Sequence, residues 1–423
     1  MSVPLVLAAI VASMFRGGPA HLGIYDGSAP SLNAVIWRFH AAGAIFSSAT
    51  VAGGTVYVGS NGGKLYAIRA SDGSAIWTFS SKGAIRSSPA VANGAVFFSS
   101  LDGNVYAVDA VTGRERWHFT TEGERRFTAP GIHGIQPQTE EMPDPFDVYL
   151  SSPAVADGVV YVGSGDHNVY AIDASRGTLL WKFATGNVVH ASPAVANGTI
   201  YIGSWDRYFY ALDAKAGTLK WKYATGDDRK IYNQVGIAGS AAVGNGKVYF
   251  GCRDSHLYAL DARTGALAWS HDEHGSWVIA SPAVSGNSVY YTTSDERTFF
   301  ALDAVTGAQR FSVRYGAYAF SSPAIAGSVA YFGTFDGRLY GVDVSTGKVV
   351  ARFSTDASRE NLASHLLPDG SLNLNPYYAD PTLDGIIVGL SRIYQLGSIA
   401  ASPVIANGVL YVGSTEGTLY AID

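Results

Sequence analysis

The 423-residue sequence predicts an all-β fold, an eight-bladed β-propeller of four-stranded blades. A unit like that of residues 152–183 recurs along the chain, with a serine near its start at Ser48, Ser88, Ser152, Ser192, Ser240, Ser281, Ser322 and Ser402. The spacings of 40, 64, 40, 48, 41, 41 and 80 residues reduce to a period near 40 with three insertions, which marks a repeat architecture rather than separate domains. The last copy stops at Asp423 after three strands, whereas residues 34–39 supply a fourth strand with no first three before it. Joining these two ends closes a ring and removes the sheet edges that a linear array would expose.

Each copy alternates short apolar runs with turn signals. In copy three the expected strands are 152–156, 159–163, 168–173 and 179–183, separated by Gly158, by residues 163–166 and by Arg176-Gly177. Tyrosines recur in the second and third strands, as at Tyr161 and Tyr170, and alternate with Val, Ile and Leu so that one sheet face stacks on the next copy. A fourth-strand tryptophan recurs at Trp77, Trp117, Trp181, Trp221 and Trp269, with Phe311 and Ala351 in copies six and seven, and is expected to pack blade on blade. The chain therefore divides into an N-terminal segment, 1–33, and one propeller, 34–423, with insertions at 120–149, 224–238 and 354–398.

Composition excludes several function classes. Charged residues make up 15% of the chain and the net charge is −5, so no general attraction to nucleic acid or anionic lipid is expected. The single cysteine, Cys252, excludes an internal disulfide and a cysteine-based zinc cluster. Residues 4–12 form an apolar run ending in small residues, without a preceding Lys or Arg. It reads either as a poor or truncated export signal or as an N-terminal strand or tail, and it is too short to span a bilayer. The expected product is a monomer in the periplasm or outside the cell, without a transmembrane segment.

The consensus Ser-Pro-Ala-Val-x-x-Gly-x-Val-Tyr-x-Gly-Ser-x-Asp-x-x-Leu-Tyr-Ala-x-Asp-x-x-Thr-Gly-x-x-x-Trp-x-Phe resembles the PQQ-like propeller repeat, over nearly all of 34–423. Residues 15–23 resemble the lead-in that precedes such propellers. The resemblance implies either a quinoprotein alcohol dehydrogenase, with PQQ and Ca²⁺ as cofactors, or a binding propeller like the lipoprotein of the outer-membrane β-barrel assembly machinery. Two adjacent cysteines usually lie against the quinone in the dehydrogenases, and this chain has one cysteine in total. The Glu, Asn and Asp that hold Ca²⁺ and act as base there have no assignable counterparts. Cys252 also cannot be the acylated N-terminal cysteine of the lipoprotein. The leading expectation is thus a non-catalytic ligand- or protein-binding scaffold in the cell envelope, with a PQQ-dependent dehydrogenase oxidising an alcohol or sugar as the alternative.

Second-to-third-strand turns and inter-blade links share one rim, so all three insertions crowd one face, called the top here. The plain top turn is Asp-Gly, as at Asp102-Gly103 and Asp336-Gly337, and its aspartate is expected to bond the turn backbone. Copies three to six depart from it: His167 in three, Trp205, Arg207 and Tyr208 in four, Arg253 and His256 in five, Glu296 and Arg297 in six. Trp205 and Trp277 are the tryptophans outside the fourth-strand position. They either cover a neighbouring blade or anchor a ligand or partner. Arg86 and His190 replace apolar residues just before the first strand, so with Trp277 they are expected near the axis, in a pocket or along a water-filled channel. The acids Glu140, Glu141, Asp144 and Asp147 are expected in a flexible acidic loop, paired with Arg125 and Arg126 or offering oxygens to Ca²⁺. His271 and His274 lack the helix face that makes their spacing a metal site. No Ser-His-Asp set is assigned, on a fold expected to lack helices at the site.

Overall fold

Period-two alternation of Val, Ile and Tyr produces short antiparallel strands, and the turn residues between them fix the register. In copy three, Ala154–Ala156, Val159–Gly163, Asn168–Asp173 and Leu179–Ala184 form a meander with Tyr161 opposite Ala171 and Ala171 opposite Trp181. The computed structural model describes residues 13–226 and 236–423, and in it eight such blades surround an axis. The innermost strand of copy three begins at Ala154 rather than Ser152. Pro153 has no N–H for a ladder, and the Ser152 N–H is engaged at the axis.

That engagement is a closed ring. The backbone N–H of each marker serine donates to the hydroxyl of the marker serine in the next blade, from Ser48 to Ser88 and onward until Ser402 returns to Ser48, at 2.8–3.1 Å. Each bond satisfies a buried backbone donor that has no strand partner. The marker position is therefore structural.

Blades are clamped from their outer strands. The Trp77 indole N–H donates to the Ala110 carbonyl at 3.1 Å, and its ring lies on Gly113, where a Cβ would come within 2.6 Å of the indole. Gly113 also holds φ +69, so glycine is required there both for space and for conformation. The same contact runs from Trp37 on Gly73 to Trp269 on Gly307. The ring closes as the sequence predicts: Val35–His40 pairs antiparallel with Thr418–Ile422, with Trp37 opposite Ala421.

The segment before the closing strand is part of the ring. The Val195, Val243, Val284 and Ile325 N–H groups, on the innermost strands of blades four to seven, donate to carbonyls of residues 19–23. Ile24–Tyr25 adds a short parallel strand to blade seven. Edge donors facing the axis are thereby covered. The buried Arg16 guanidinium donates to the Pro282 and Pro323 carbonyls, fixing the segment across two blades. Residues 4–12, the expected export signal, lie outside the described residues.

The third insertion is helical, contrary to the expectation of a helix-free site. It contains α1 (Asp356–Asn361) and α2 (Leu383–Tyr394), whose N-terminal threonines Thr355 and Thr382 accept the N–H groups of Ser358 and Gly385. Helix α2 buries Ile386, Leu390 and Ile393 toward the propeller top. Most of the second insertion, 227–235, lies outside the described residues. Among the described residues no helix is long and apolar enough to cross a membrane.

Candidate functional site under the insertions

The top-turn aspartate has the structural role its turn chemistry implies. Asp102, Asp166, Asp206 and Asp254 each accept the hydroxyl of the third-strand tyrosine four residues on and an N–H from the preceding inter-blade link. Copies three to five keep this bond, so their departure lies in the next residue. His167 (φ 77), Arg207 (φ 72) and Ser255 (φ 72) adopt the left-handed conformation that Gly103 holds elsewhere. Blade six differs in kind, because Phe300 replaces the tyrosine and its longer turn carries Asp295, Glu296 and Arg297.

The departing side chains divide into two groups. His167 and Tyr208 are half-buried on the rim and Arg207 is exposed there, with the Lys222 ammonium 4.2 Å from the Tyr208 ring centre. His256 is also half-buried, and its Nδ1 lies 2.8 Å from the Asp254 carbonyl. The Asp254 carboxylate, 3.7 Å from the same nitrogen, pushes its pKa up to about 9. Trp205, Arg253 and Trp277 instead form one buried stack. The Arg253 guanidinium carbon lies 4.3 Å from each indole, and Phe127 of the first insertion stacks on Trp205 at 4.4 Å.

The first insertion folds over this stack, which corrects the expectation of a flexible acidic loop. Thr128–Pro130 pairs with Glu141–Pro143, and the carboxylate of Asp144 is fully buried between Arg253 and His133. Burial alone would raise the Asp144 pKa, but the Arg253 charge, His133 and the Phe146 N–H hold it well below the usual carboxylate range. Asp147 is buried as well, accepting the Phe127 N–H at 2.9 Å and bonding His190 Nδ1 at 2.7 Å. His190 Nε2 lies 2.7 Å from Glu124. Two acids three residues apart thus neutralise two cations from blades four and five. Arg125 and Arg126 are not their ion-pair partners.

His190 is consequently charged at neutral pH. Desolvation opposes the charge, yet Asp147 and Glu124 together push its pKa up to about 10. The folded value exceeds the unfolded value of about 6.5, so the stabilisation is complete below that pH and is lost as pH rises toward the folded value. Wild-type protein is expected to lose stability between pH 7 and pH 10, by an amount on the order of a few kcal/mol, beyond any loss in His190→Gln. Urea unfolding of both proteins across that range checks it. Equal pH slopes would contradict the buried imidazolium.

The expected pocket joining Arg86, His190 and Trp277 does not form. Arg86 and His190 do reach the axis, but Arg86 donates to Asn61 at 3.0 Å and to the Val148 carbonyl at 3.3 Å. The Tyr149 hydroxyl crosses the axis to the Ala400 carbonyl at 2.8 Å. Phe15 also borders the axial space, and the remaining void is about 40 Å³. The physical reason is that the first insertion supplies plugs that the short-period pattern does not encode.

Trp277 borders a separate cavity of about 530 Å³ between the two insertions and the top of blade six. Its wall is aromatic, with His133 and Phe146 from the first insertion, Trp277, Tyr318 and Phe320 from the links beside blade six, and Tyr378 from the third insertion. Asp295, on the exposed blade-six turn, borders it. Protein packed around its carboxylate raises its pKa, and the Ser294 hydroxyl donates to it at 2.6 Å. Sequence reasoning misses His133, Phe146, Asp295, Tyr318 and Tyr378. The one available signal was Asp295, the residue that lengthens the blade-six turn. His271 bonds Glu273, His274 is exposed, and among the described residues no three His, Cys, Asp or Glu side chains are arranged to hold a metal ion.

Eight four-stranded blades, fourth-strand tryptophan clamps and N-terminal closure define a PQQ-type β-propeller. The sequence matches the family profile described as outer membrane protein assembly factor BamB over residues 29–135, 135–276 and 232–374, and the chain belongs to that family. No curated protein sequence matches it. Among solved structures it is similar to BamB from Moraxella catarrhalis, with 16% identity and a TM-score of 0.65 over 92% of this chain and 96% of that one. It is also similar to a europium-containing methanol dehydrogenase, with 15% identity and a TM-score of 0.68 over 97% and 98% of the two chains. The quinohemoprotein alcohol dehydrogenase from Comamonas testosteroni gives 15% identity and a TM-score of 0.69 over 95% of this chain and 79% of that one. At such identities these structures share the fold, and function must be argued from the site.

Proposed function

We propose that the protein is a non-catalytic binding propeller of the cell envelope, which takes a small ligand in the aromatic cavity beneath its insertions. The observation that carries this reading is the contrast between the two internal spaces. The axial void of about 40 Å³ holds about one water, whereas the cavity of about 530 Å³ has the size and aromatic lining of a small-molecule site. The residues do not fit PQQ at either place. A rigid tricycle with three carboxylates exceeds the axial void, and in the larger cavity it would meet Asp295 with no Arg or Lys in the wall among the described residues. The envelope location rests on the printed description of the family and on the apolar N-terminal run.

The neutral dye N-phenyl-1-naphthylamine tests the cavity, because Trp277 in the wall can transfer excitation to it. Saturable binding at one site is expected, abolished by Ile386→Trp, which fills the cavity from α2. Binding that survives the filled cavity would place the ligand site elsewhere.

A further inference from the structure

A second cleft of about 560 Å³ opens on the top rim between blades six and seven, and four arginines face it. Arg297 comes from the blade-six turn, Arg314 from the end of the outer strand of blade six, Arg338 from the third strand of blade seven, and Arg352 from its outer strand. Several exposed arginines elsewhere on the propeller are paired: Arg38 with Asp356 at 2.8 Å, Arg116 with Asp109 at 2.7 Å, and Arg310 with Asp303 at 2.7 Å. In the cleft, among the described residues, only Arg338 has a carboxylate partner, Asp336, at 3.4 Å.

Their donors are also largely unspent. Arg297 and Arg314 each reach one backbone carbonyl at 3.5 Å, the outer limit of a hydrogen bond, and Arg338 reaches the Gly370 carbonyl at 3.3 Å. Arg352 lies over the Tyr340 ring at 5.8 Å. A guanidinium carries five N–H donors, so most of this capacity points into solvent. Two acids share the cleft. Asp369 is turned to its own loop, accepting the Ser371 N–H and hydroxyl. Glu296 is desolvated beside Glu273, which favours its neutral form.

We propose that this cleft is a binding site for a small phosphate-bearing oligoanion. Four cations against three carboxylates, Asp336 behind Arg338 together with Asp369 and Glu296, leave a positive excess suited to an anion. A planar carboxylate is served by one guanidinium fork, whereas the oxygens of a phosphate radiate in several directions and accept from several forks at once. The four arginines approach from four different elements, which matches the second geometry. This site is separate from the aromatic cavity and does not depend on its ligand. The blade-six turn lies between them, with Asp295 facing the cavity and Arg297 the cleft.

Calorimetric titration of the full chain with inorganic pyrophosphate tests the proposal, with citrate as the carboxylate comparison. Saturable one-to-one binding is expected, weakened at least tenfold in Arg314→Gln/Arg352→Gln and unchanged in Arg114→Gln/Arg263→Gln on the opposite rim. Arg314 and Arg352 are exposed, so their loss should leave the melting temperature unchanged, and the single variant Arg352→Gln serves if it does not. Citrate is expected to bind at least tenfold more weakly than pyrophosphate. No saturable binding, an equal loss in the opposite-rim variant, or tighter binding of citrate would each overturn the proposal.

Discussion

Asp144→Ala is expected to destabilise the protein by about 3–5 kcal/mol, because it leaves the Arg253 charge buried without a partner. Arg253 sits between two indoles with almost no exposure, so water cannot replace the lost carboxylate. His133 loses its Nε2 contact in the same step, and the first insertion loses its central attachment to blade five. Urea unfolding gives the magnitude. Limited proteolysis should show new cleavage within residues 125–149. The double variant Asp144→Leu/Arg253→Met is expected to recover much of the stability, since exchanging a buried ion pair for apolar groups of similar size is often neutral. A loss below about 1 kcal/mol in Asp144→Ala would mean that the pair is hydrated and the insertion loosely held.

The second large effect is at the ring closure. Trp37→Ala is expected to cost about 3–5 kcal/mol, through the cavity left between blades eight and one and the loss of the indole bond to the Ala70 carbonyl. Deleting residues 1–40 should be more severe. It leaves Thr418–Ile422 as an uncovered outer edge and removes the segment that covers the axial edges of blades four to seven. That truncated chain is expected to aggregate, and a synthetic peptide of residues 31–42 should raise the soluble fraction by adding the missing strand. A truncated chain as soluble and as heat-stable as wild type would contradict closure by the N-terminal strand.

The fold was legible because each blade repeats the same local chemistry, and eight copies average out exceptions such as Phe311 and Ala351. The terminal half-blades were legible for the same reason, since a lone fourth strand at Trp37 has one place to go. The site was only half legible. Trp205, Arg253 and Trp277 stand out as breaks in the repeat, and the structure does bring them together. Their partners come from a segment with no repeat to compare against, and Asp144 lies 109 positions from Arg253. Local chemistry reads an acidic stretch as solvated loop, and only the tertiary fold reveals that Asp144 and Asp147 face two buried cations. The matching was present as a count: two unmatched cations, His190 and Arg253, and two acids three residues apart. The helical third insertion was not legible from the blade repeat, because its 3.6-residue period has no counterpart in the period-two strands of the blades.

The claim that this propeller binds without catalysing is tested most directly by reconstitution with PQQ and Ca²⁺. Purified full-length protein is titrated with both while absorbance is followed, and dye reduction is then measured with simple alcohols and sugars. No stoichiometric cofactor uptake and no dye reduction above the protein-free rate are expected, because the axis is filled by Tyr149, Arg86 and Phe15. One-to-one uptake accompanied by substrate-dependent turnover would contradict that account and establish a quinoprotein dehydrogenase.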